Sequence, residues 1–153
     1  MKPRFTRALL AAVLAPILAT AACASVEDPV EDYIVIGMDE DSTGPGASYS
    51  TIAGTTVRAT IDRINDEGGI DGVPVRLVVE NDESSPTNTP SIIRKLMDQG
   101  AAAVILSTGS GAALQAKQVS ETAAIITIAP TALTDAVASP PGNGYAYMVP
   151  NPL

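Results

Sequence analysis

The 153-residue chain contains no histidine, no tryptophan and a single cysteine. Without histidine, a Ser-His nucleophilic site cannot form, and zinc and haem lose their commonest ligands. One phenylalanine and four tyrosines supply little aromatic surface for stacking on nucleic acid bases. The composition therefore leaves carboxylates, hydroxyls and lysines as the side chains available for catalysis.

Basic residues are also scarce, and three of the nine are Lys2, Arg4 and Arg7. The uncharged run 8–22 follows, and its 15 residues are fewer than the about 20 that a membrane-spanning helix needs. A basic start, a short apolar run and small residues at its exit indicate an export signal over residues 1–22. Without this segment the chain has 17 acidic and six basic residues, a net charge of −11, which disfavours nucleic acid as a partner.

Cys23, the one cysteine, directly follows the export signal. The segment 20–23, with the sequence TAAC, resembles a bacterial lipobox with threonine where leucine is usual. We therefore expect lipidation of Cys23, with residues 23–32 as a tether to the extracytoplasmic face of the cell membrane. A lipid anchor contributes about 0.8 kcal/mol per buried CH₂. The alternative is ordinary cleavage after Ala24, which would release a soluble periplasmic protein.

Beyond the tether, short apolar runs alternate with segments of helical periodicity. Strands are predicted over 33–38, 73–80, 101–106, 124–129 and 145–149, and helices over about 48–66, 89–99 and 112–122. Apolar strands that alternate with helices indicate a mostly parallel sheet with helices on both faces. We therefore predict an α/β fold, a Rossmann-like three-layer lobe over residues 33–153. Ligands of such sheets bind at the carboxyl ends of the strands.

Asp39 and Asp41 follow the first predicted strand in the order D-E-D-S-T. This order fits the D-x-D-x-T pattern of haloacid dehalogenase-like Mg²⁺-dependent phosphatases, in which Asp39 would attack phosphorus and Asp41 would protonate the leaving group. Such enzymes also need an acidic pair for Mg²⁺, and Asp82-Glu83 follows the second strand, too early in the chain. An acidic loop that faces solvent is the other interpretation. We expect a protein that is not an enzyme and has no metal or cofactor.

Four segments resemble the periplasmic leucine/isoleucine/valine-binding protein family, the solute receptors of branched-chain amino acid ABC importers. The most specific match is INDEGGIDG at 64–72, against the pattern I-N-x-x-G-G-I-x-G. The other matches are TGP at 43–45 with Tyr49, NDESSP at 81–86, and Ser110 with IAP at 128–130. The resemblance implies a type I periplasmic binding protein fold, of which this chain is the N-terminal lobe and from which the second lobe is missing.

In this family the loops after the third and fourth strands hold the ligand. The resemblance implies that Ser110 binds a carboxylate, that the Thr131 carbonyl accepts from an ammonium group, and that Tyr49 lines the pocket. Where the family pattern has a second threonine, Leu133 stands here, with Thr134 beside it.

The partners implied by the resemblance are a small amino acid-like ligand and an ABC permease. With one lobe, water screens each contact from the open side, so we expect weak or no binding by this chain alone. A one-lobe sensor or adaptor that binds another protein is the remaining alternative.

Overall fold

The computed structural model describes residues 32–139 and 144–149; the predicted export signal and Cys23 lie outside this part of the chain. The described elements are, in chain order, β1 (Ile34–Glu40), α1 (Ala47–Asp66), β2 (Val75–Asn81), α2 (Thr89–Asp98), β3 (Ala103–Leu106), α3 (Ser110–Ala123), β4 (Ile126–Ala129) and β5 (Ala146–Met148). Every predicted strand and helix is confirmed, with ends that differ by two residues or fewer.

The five strands form one sheet in the order β2-β1-β3-β4-β5, and each neighbouring pair is parallel. Strand β1 is second in this order, with β2 on one side of it and β3, β4 and β5 following on the other. The carboxyl end of β1 is therefore a topological switch point, where doubly wound sheets form their ligand sites. This arrangement confirms the predicted α/β fold.

The INDEGGIDG segment connects α1 to β2. Gly68 and Gly69 follow the helix with φ of 100° and 78°, a backbone conformation that glycine adopts without strain. Asn65 then binds the first residue of β2 twice. Its Nδ2 donates to the carbonyl of Val75 at 2.9 Å, and its Oδ1 accepts from the Val75 N–H at 2.7 Å. The side chain of Asn65 thus fixes the end of the helix against the start of the strand.

The main core lies between the sheet and the helices α2 and α3. Its aliphatic residues come from the alternate positions of β3 and β4 that point toward these helices and from the inner faces of the helices. The fully buried members include Ile93, Leu96, Val104, Leu106, Ala113, Ala116 and Ala129. Complete burial of a valine, leucine or isoleucine side chain stabilises the fold by about 1.5–3 kcal/mol, and the alanines let the helices pack close to the sheet.

The opposite side of β3, β4 and β5, here called the open face, is not covered by any described helix. Ile126 and Ile128 are 42% and 36% exposed on it, and Tyr147, which pairs with Ile128, is 49% exposed. A groove of about 290 Å³ with no charged lining residue separates this face from α1. Helices thus lie on both faces of the sheet, as predicted, but α1 packs over β1 and β2 and leaves the β3–β5 part of its face without a described helix.

None of the helices in the described ranges combines the length and the apolar character needed to cross a bilayer.

Candidate functional site

Three consecutive acidic residues lie at the carboxyl end of β1. Asp39 and Glu40 are the last residues of β1, and Asp41 follows directly. All three are buried, with exposed fractions of 0%, 4% and 3%. The ladder continues through this stretch because Asp39 pairs with Glu80 and Glu40 with Asn81. The interpretation of these residues as a solvent-facing acidic loop is therefore wrong.

Glu40 forms an ion pair with Arg58 of α1. Nη1 of Arg58 donates to Oε1 at 3.0 Å, and Nη2 donates to Oε2 at 2.7 Å. These bonds raise the pKa of the Arg58 guanidinium, and two parallel bonds are the strongest geometry for such a pair. Gly54 lies one turn earlier on α1, and a Cβ there would overlap Oε1 of Glu40. The absence of a side chain at Gly54 therefore makes room for the ion pair.

Asp41 connects the loop after β1 with the loop after β2. Its Oδ1 accepts from the Gly44 N–H at 2.8 Å, and its Oδ2 accepts from the hydroxyl of Ser84. The same hydroxyl oxygen accepts from the Gly46 N–H at 2.9 Å. A Cβ on Gly44 would overlap Ser84, so this glycine lets the two loops touch.

The loop after β2 contains two consecutive residues in the left-handed region. Glu83 and Ser84 have φ of 57° and 58°, which costs a residue other than glycine about 1–2 kcal/mol. In this conformation the Ser84 N–H donates to Oδ1 of Asp82 at 3.0 Å. Strain of this kind is common where a backbone is held for binding, and here hydrogen bonds to Asp41 and Asp82 offset it.

Asp39 differs from its neighbours because both of its carboxylate oxygens lack a hydrogen-bond partner among the described residues. Burial, and then the nearby charge of Asp82, raise the pKa of Asp39 to about 7. The Thr89 hydroxyl offsets part of this rise, although it lies outside hydrogen-bond geometry. A carboxylate with no solvent exposure cannot attack a phosphate, so the structure disfavours the phosphatase alternative. No group of three metal-ligating side chains is arranged to hold an ion within residues 32–139 and 144–149.

A pocket of about 240 Å³ lies at the carboxyl ends of β1, β2 and β3. Its lining consists of Asp41, Gly46, Tyr49, Ser50, Asp82, Ser84, Pro86, Thr108, Gly109, Gly111 and Ala112. Asp41 and Asp82 are the charged members of this lining, and both are acidic. Burial raises the pKa of Asp82, and the Asp41 charge adds to the rise, whereas the Ser84 N–H lowers it. The lining therefore combines buried negative charge with backbone and hydroxyl groups.

The start of α3 forms another part of this pocket. Gly109 is the N-cap and Ser110 is the first helical residue. No side chain caps the helix, and the free N–H groups of a first turn attract anions. Gly111 allows close packing on the loop after β2, because a Cβ there would lie 2.9 Å from Cγ of Pro86.

The structure places Tyr49 in the pocket lining, with 53% of its surface exposed. Ser110 stands between two lining residues, and its Oγ accepts from the Leu133 N–H at 3.0 Å. Leu133 contributes its backbone to this contact, and its side chain is 72% exposed. Ser110 and Leu133 are therefore neighbours at the edge of the pocket.

Thr131 lies in the same group. Its hydroxyl donates to the carbonyl of Thr108, a pocket residue, and to the carbonyl of Leu106 at 3.3 Å. Thr134 takes part in a turn through its carbonyl, which accepts from the Val137 N–H at 3.2 Å. Both of these hydrogen bonds are made by the Thr131 hydroxyl. They do not involve the Thr131 carbonyl, which is the group expected to accept from a ligand ammonium.

Sequence reasoning did not identify Asp82, Ser84 or Thr108 as pocket residues, and it considered Asp41 for catalysis alone. The available signal was position, because all four lie within three residues of the carboxyl end of β1, β2 or β3. Asp41 and Asp82, here called the acidic wall of the pocket, could have been predicted to lie together from the parallel pairing of β1 and β2, whose carboxyl ends are neighbours.

Residues 33–150 match the model of a family described as periplasmic binding protein, and the chain belongs to this family. A Leu/Ile/Val-binding protein homolog 1 from Brucella abortus (strain 2308) is 31% identical over 99 residues, which are 65% of this chain and 27% of that protein. An amino acid binding protein from Pseudomonas aeruginosa is 28% identical over 130 residues, or 84% of this chain and 33% of the relative.

Among solved structures, the fold is similar to the branched-chain amino acid transporter substrate binding protein LivJ from Streptococcus pneumoniae in complex with isoleucine. The TM-score is 0.66 at 29% identity, and the match covers 69% of this chain and 31% of that one. The chain thus spans about a third or less of the length of these relatives, with 27% and 33% of the two proteins above. This partial coverage fits one lobe of such a protein.

Proposed function

We propose that this chain is a binding lobe of an extracytoplasmic solute-binding protein, which supplies amino acids or related small molecules to an ABC importer. The observation that carries the proposal is the pocket at the carboxyl ends of β1, β2 and β3, in a chain that belongs to the periplasmic binding protein family. Membership of this family implies a location outside the cytoplasm. The names of the relatives, which refer to leucine, isoleucine and valine, favour branched-chain amino acids as first candidates.

In the proposed complex, the carboxylate of the ligand lies at the start of α3, where Ser110 and the uncapped N–H groups can bind it. The ammonium group lies toward the loop after β4, where Thr131 has its carbonyl. Tyr49 covers one side of the ligand. The Ser110 hydroxyl can donate to a carboxylate while its oxygen still accepts from the Leu133 N–H.

We expect weak binding by the chain alone, because the described pocket is walled by the loops of one lobe. Water then reaches the other side of the ligand and screens each charged contact. The expected dissociation constants for leucine, isoleucine and valine are in the millimolar range, about −4 kcal/mol in binding free energy.

The test is a titration of the isotope-labelled chain with each amino acid, followed by the NMR amide shifts of residues 108–112 and 131–134. Ser110→Ala should weaken binding several-fold, whereas Thr122→Ala, which removes an exposed hydroxyl near the far end of α3, should leave it unchanged. Sub-micromolar binding would contradict the expectation for a single lobe. Shifts that avoid both segments would contradict the proposed site.

A further inference from the structure

We propose that Asp39 is a pH switch for the loop after β2, residues 82–88, here called the wall loop. The protonated carboxyl group of Asp39 keeps the wall loop closed, and ionisation of this group releases it. Asp82, Ser84 and Pro86 of the wall loop line the pocket, so its release removes one side of the pocket. The switch goes beyond the proposed function, because it acts on the pocket whatever ligand binds there.

The side chain of Asp39 occupies a site that suits a neutral group. It has no exposed surface, and neither of its carboxylate oxygens has a hydrogen-bond partner among the described residues. The backbone is held in place, because the Asp39 carbonyl accepts from the N–H and the hydroxyl of Ser107 at 3.0 and 3.2 Å. The carboxyl group interacts with Asp82, which begins the wall loop, and with Thr89, which follows it. A charge on Asp39 is therefore buried without a donor to stabilise it.

The charged groups around Asp39 either repel a carboxylate or are bound elsewhere. Asp82 and Asp41 add negative charge beside it, and its ladder partner Glu80 is held by Lys95 of α2 at 2.7 Å. The other basic side chains of the described helices and strands also have partners: Arg58 binds Glu40, Arg63 binds Glu67, Arg94 and Lys117 bind backbone carbonyls, and Arg76 lies over the ring of Tyr33. No cation in the described part of the chain is thus free to neutralise Asp39.

Opening of the wall loop would let water reach this carboxyl group. Burial, and then the charge of Asp82, raise the pKa of Asp39 to about 7 in the closed state, whereas hydration returns it toward the ordinary 3.8. The closed state therefore binds the proton more tightly than the open state does. As the pH rises toward the closed-state pKa, the proton is lost and the preference for the closed state weakens.

The wall loop itself is strained, and its opening relieves the strain. Glu83 and Ser84 have φ of 57° and 58°, a conformation that favours glycine. One side chain makes the contacts with the loop after β1, because the Ser84 hydroxyl donates to Asp41 and accepts from the Gly46 N–H at 2.9 Å. A small change in electrostatic repulsion is enough to shift a segment that combines strain with few contacts.

Amide hydrogen exchange of the isotope-labelled full chain measures this opening without a ligand. The Gly46 N–H reports the contact with the wall loop, and the Ala102 N–H, which donates to the Val35 carbonyl at 2.9 Å, reports the far end of the sheet. Protection factors correct each rate for the intrinsic pH dependence of exchange. We expect the factor of Gly46 to stay below that of Ala102 and to fall about tenfold between pH 6 and pH 8, the change that pKa values of about 7 and 3.8 produce.

Variants assign the pH dependence to Asp39. Asp39→Asn keeps the shape without the charge and should remove the fall at Gly46. Asp82→Asn removes the nearest repelling charge, lowers the pKa of Asp39 and should reduce the fall to a few-fold. Asp62→Asn is the matched control, because it removes a charge from an exposed position on α1 and should leave the fall at about tenfold.

A Gly46 protection factor that is equal at pH 6 and pH 8, or that falls as much in Asp39→Asn, would overturn the switch. Equal factors for Gly46 and Ala102 would overturn it as well, because the wall loop would then open only when the whole fold does. If Asp39→Asn fails to fold, Asp82→Asn and the comparison of the two amides in the wild type still decide. The proposed function stands after any of these results, since no ligand is present.

Discussion

At the scale of single residues, the carboxyl end of β1 places three adjacent carboxylates in three different environments. Glu40 has a cation, Asp41 has hydrogen-bond donors, and Asp39 has neither among the described residues. The burial of Asp39 therefore favours its protonated form, and this is the reason that the pKa of Asp39 rises to about 7. The folded chain should bind a proton there more tightly than the unfolded chain does.

The pH dependence of stability follows from this difference. The contribution of Asp39 is fully present below its ordinary pKa of 3.8 and is lost as the pH rises toward about 7, the folded value. The loss is no more than ~4 kcal/mol at 1.36 kcal/mol per pKa unit. Asp39→Asn should therefore stabilise the fold at pH 8 and have little effect at pH 4, as measured by urea unfolding. Asp62→Asn serves as the exposed control, and an equal effect of Asp39→Asn at both pH values would refute this account.

At the scale of elements, hydrophobic pattern and turn residues were enough to predict every strand and helix within residues 32–139 and 144–149. These signals are local in the sequence. They are the runs of β-branched residues in the strands, Gly68-Gly69 at the end of α1 and Pro90 in the first turn of α2, and each lies in the structure where the pattern predicts. Two features are not local. The burial of Asp39 depends on ladder partners in β2, and the acidic wall depends on β1 and β2 ending side by side. Asp39 and Glu40 are polar, so the sequence pattern predicts a loop there. Their pairing with β2 depends on a distant segment that a local pattern does not include.

Asn65 belongs to the INDEGGIDG segment and connects α1 to β2, because its side chain binds both the N–H and the carbonyl of Val75. Asn65→Ala would leave the N–H and carbonyl of a residue that is 4% exposed without these partners. We expect a loss of about 2 kcal/mol or more in the free energy of unfolding, measured by chemical denaturation. Asn65→Asp keeps the acceptor for the Val75 N–H but sets a carboxylate oxygen against the Val75 carbonyl, so it should lose stability as well. Asp66→Ala, at the neighbouring exposed position, is the control, and an equal loss there would contradict the role of the amide.

At the scale of the whole molecule, net charge and the open face have opposite effects on association between copies of the chain. The chain beyond residue 22 carries a net charge of −11, which keeps copies apart at low ionic strength. The open face presents Ile126, Ile128 and Tyr147 to solvent, and apolar surface of this kind favours association. The sequence could not predict this face, because which strands a helix covers depends on the order of strands in the sheet.

Cys23 is the residue on which the proposed location of the whole molecule rests. We propose that it carries the lipid anchor of an extracytoplasmic protein, on the grounds of the TAAC segment and the family. Cells fed radioactive fatty acid should label the wild type, and Cys23→Ala should remove the label and release the protein from the membrane fraction. Cys23→Ser is the conservative control and should behave as Cys23→Ala does. If the wild type takes up no label, the lipid anchor is excluded and the alternative of a soluble periplasmic protein is favoured.

The contact between Gly54 and Glu40 has a consequence for how this sequence can change over time. A side chain at position 54 collides with the carboxylate of Glu40 for as long as Arg58 holds that carboxylate in place. Positions 40 and 54 are therefore epistatic. A lineage that first loses Glu40 becomes free to accept alanine at position 54, whereas the reverse order passes through an intermediate with a disrupted ion pair.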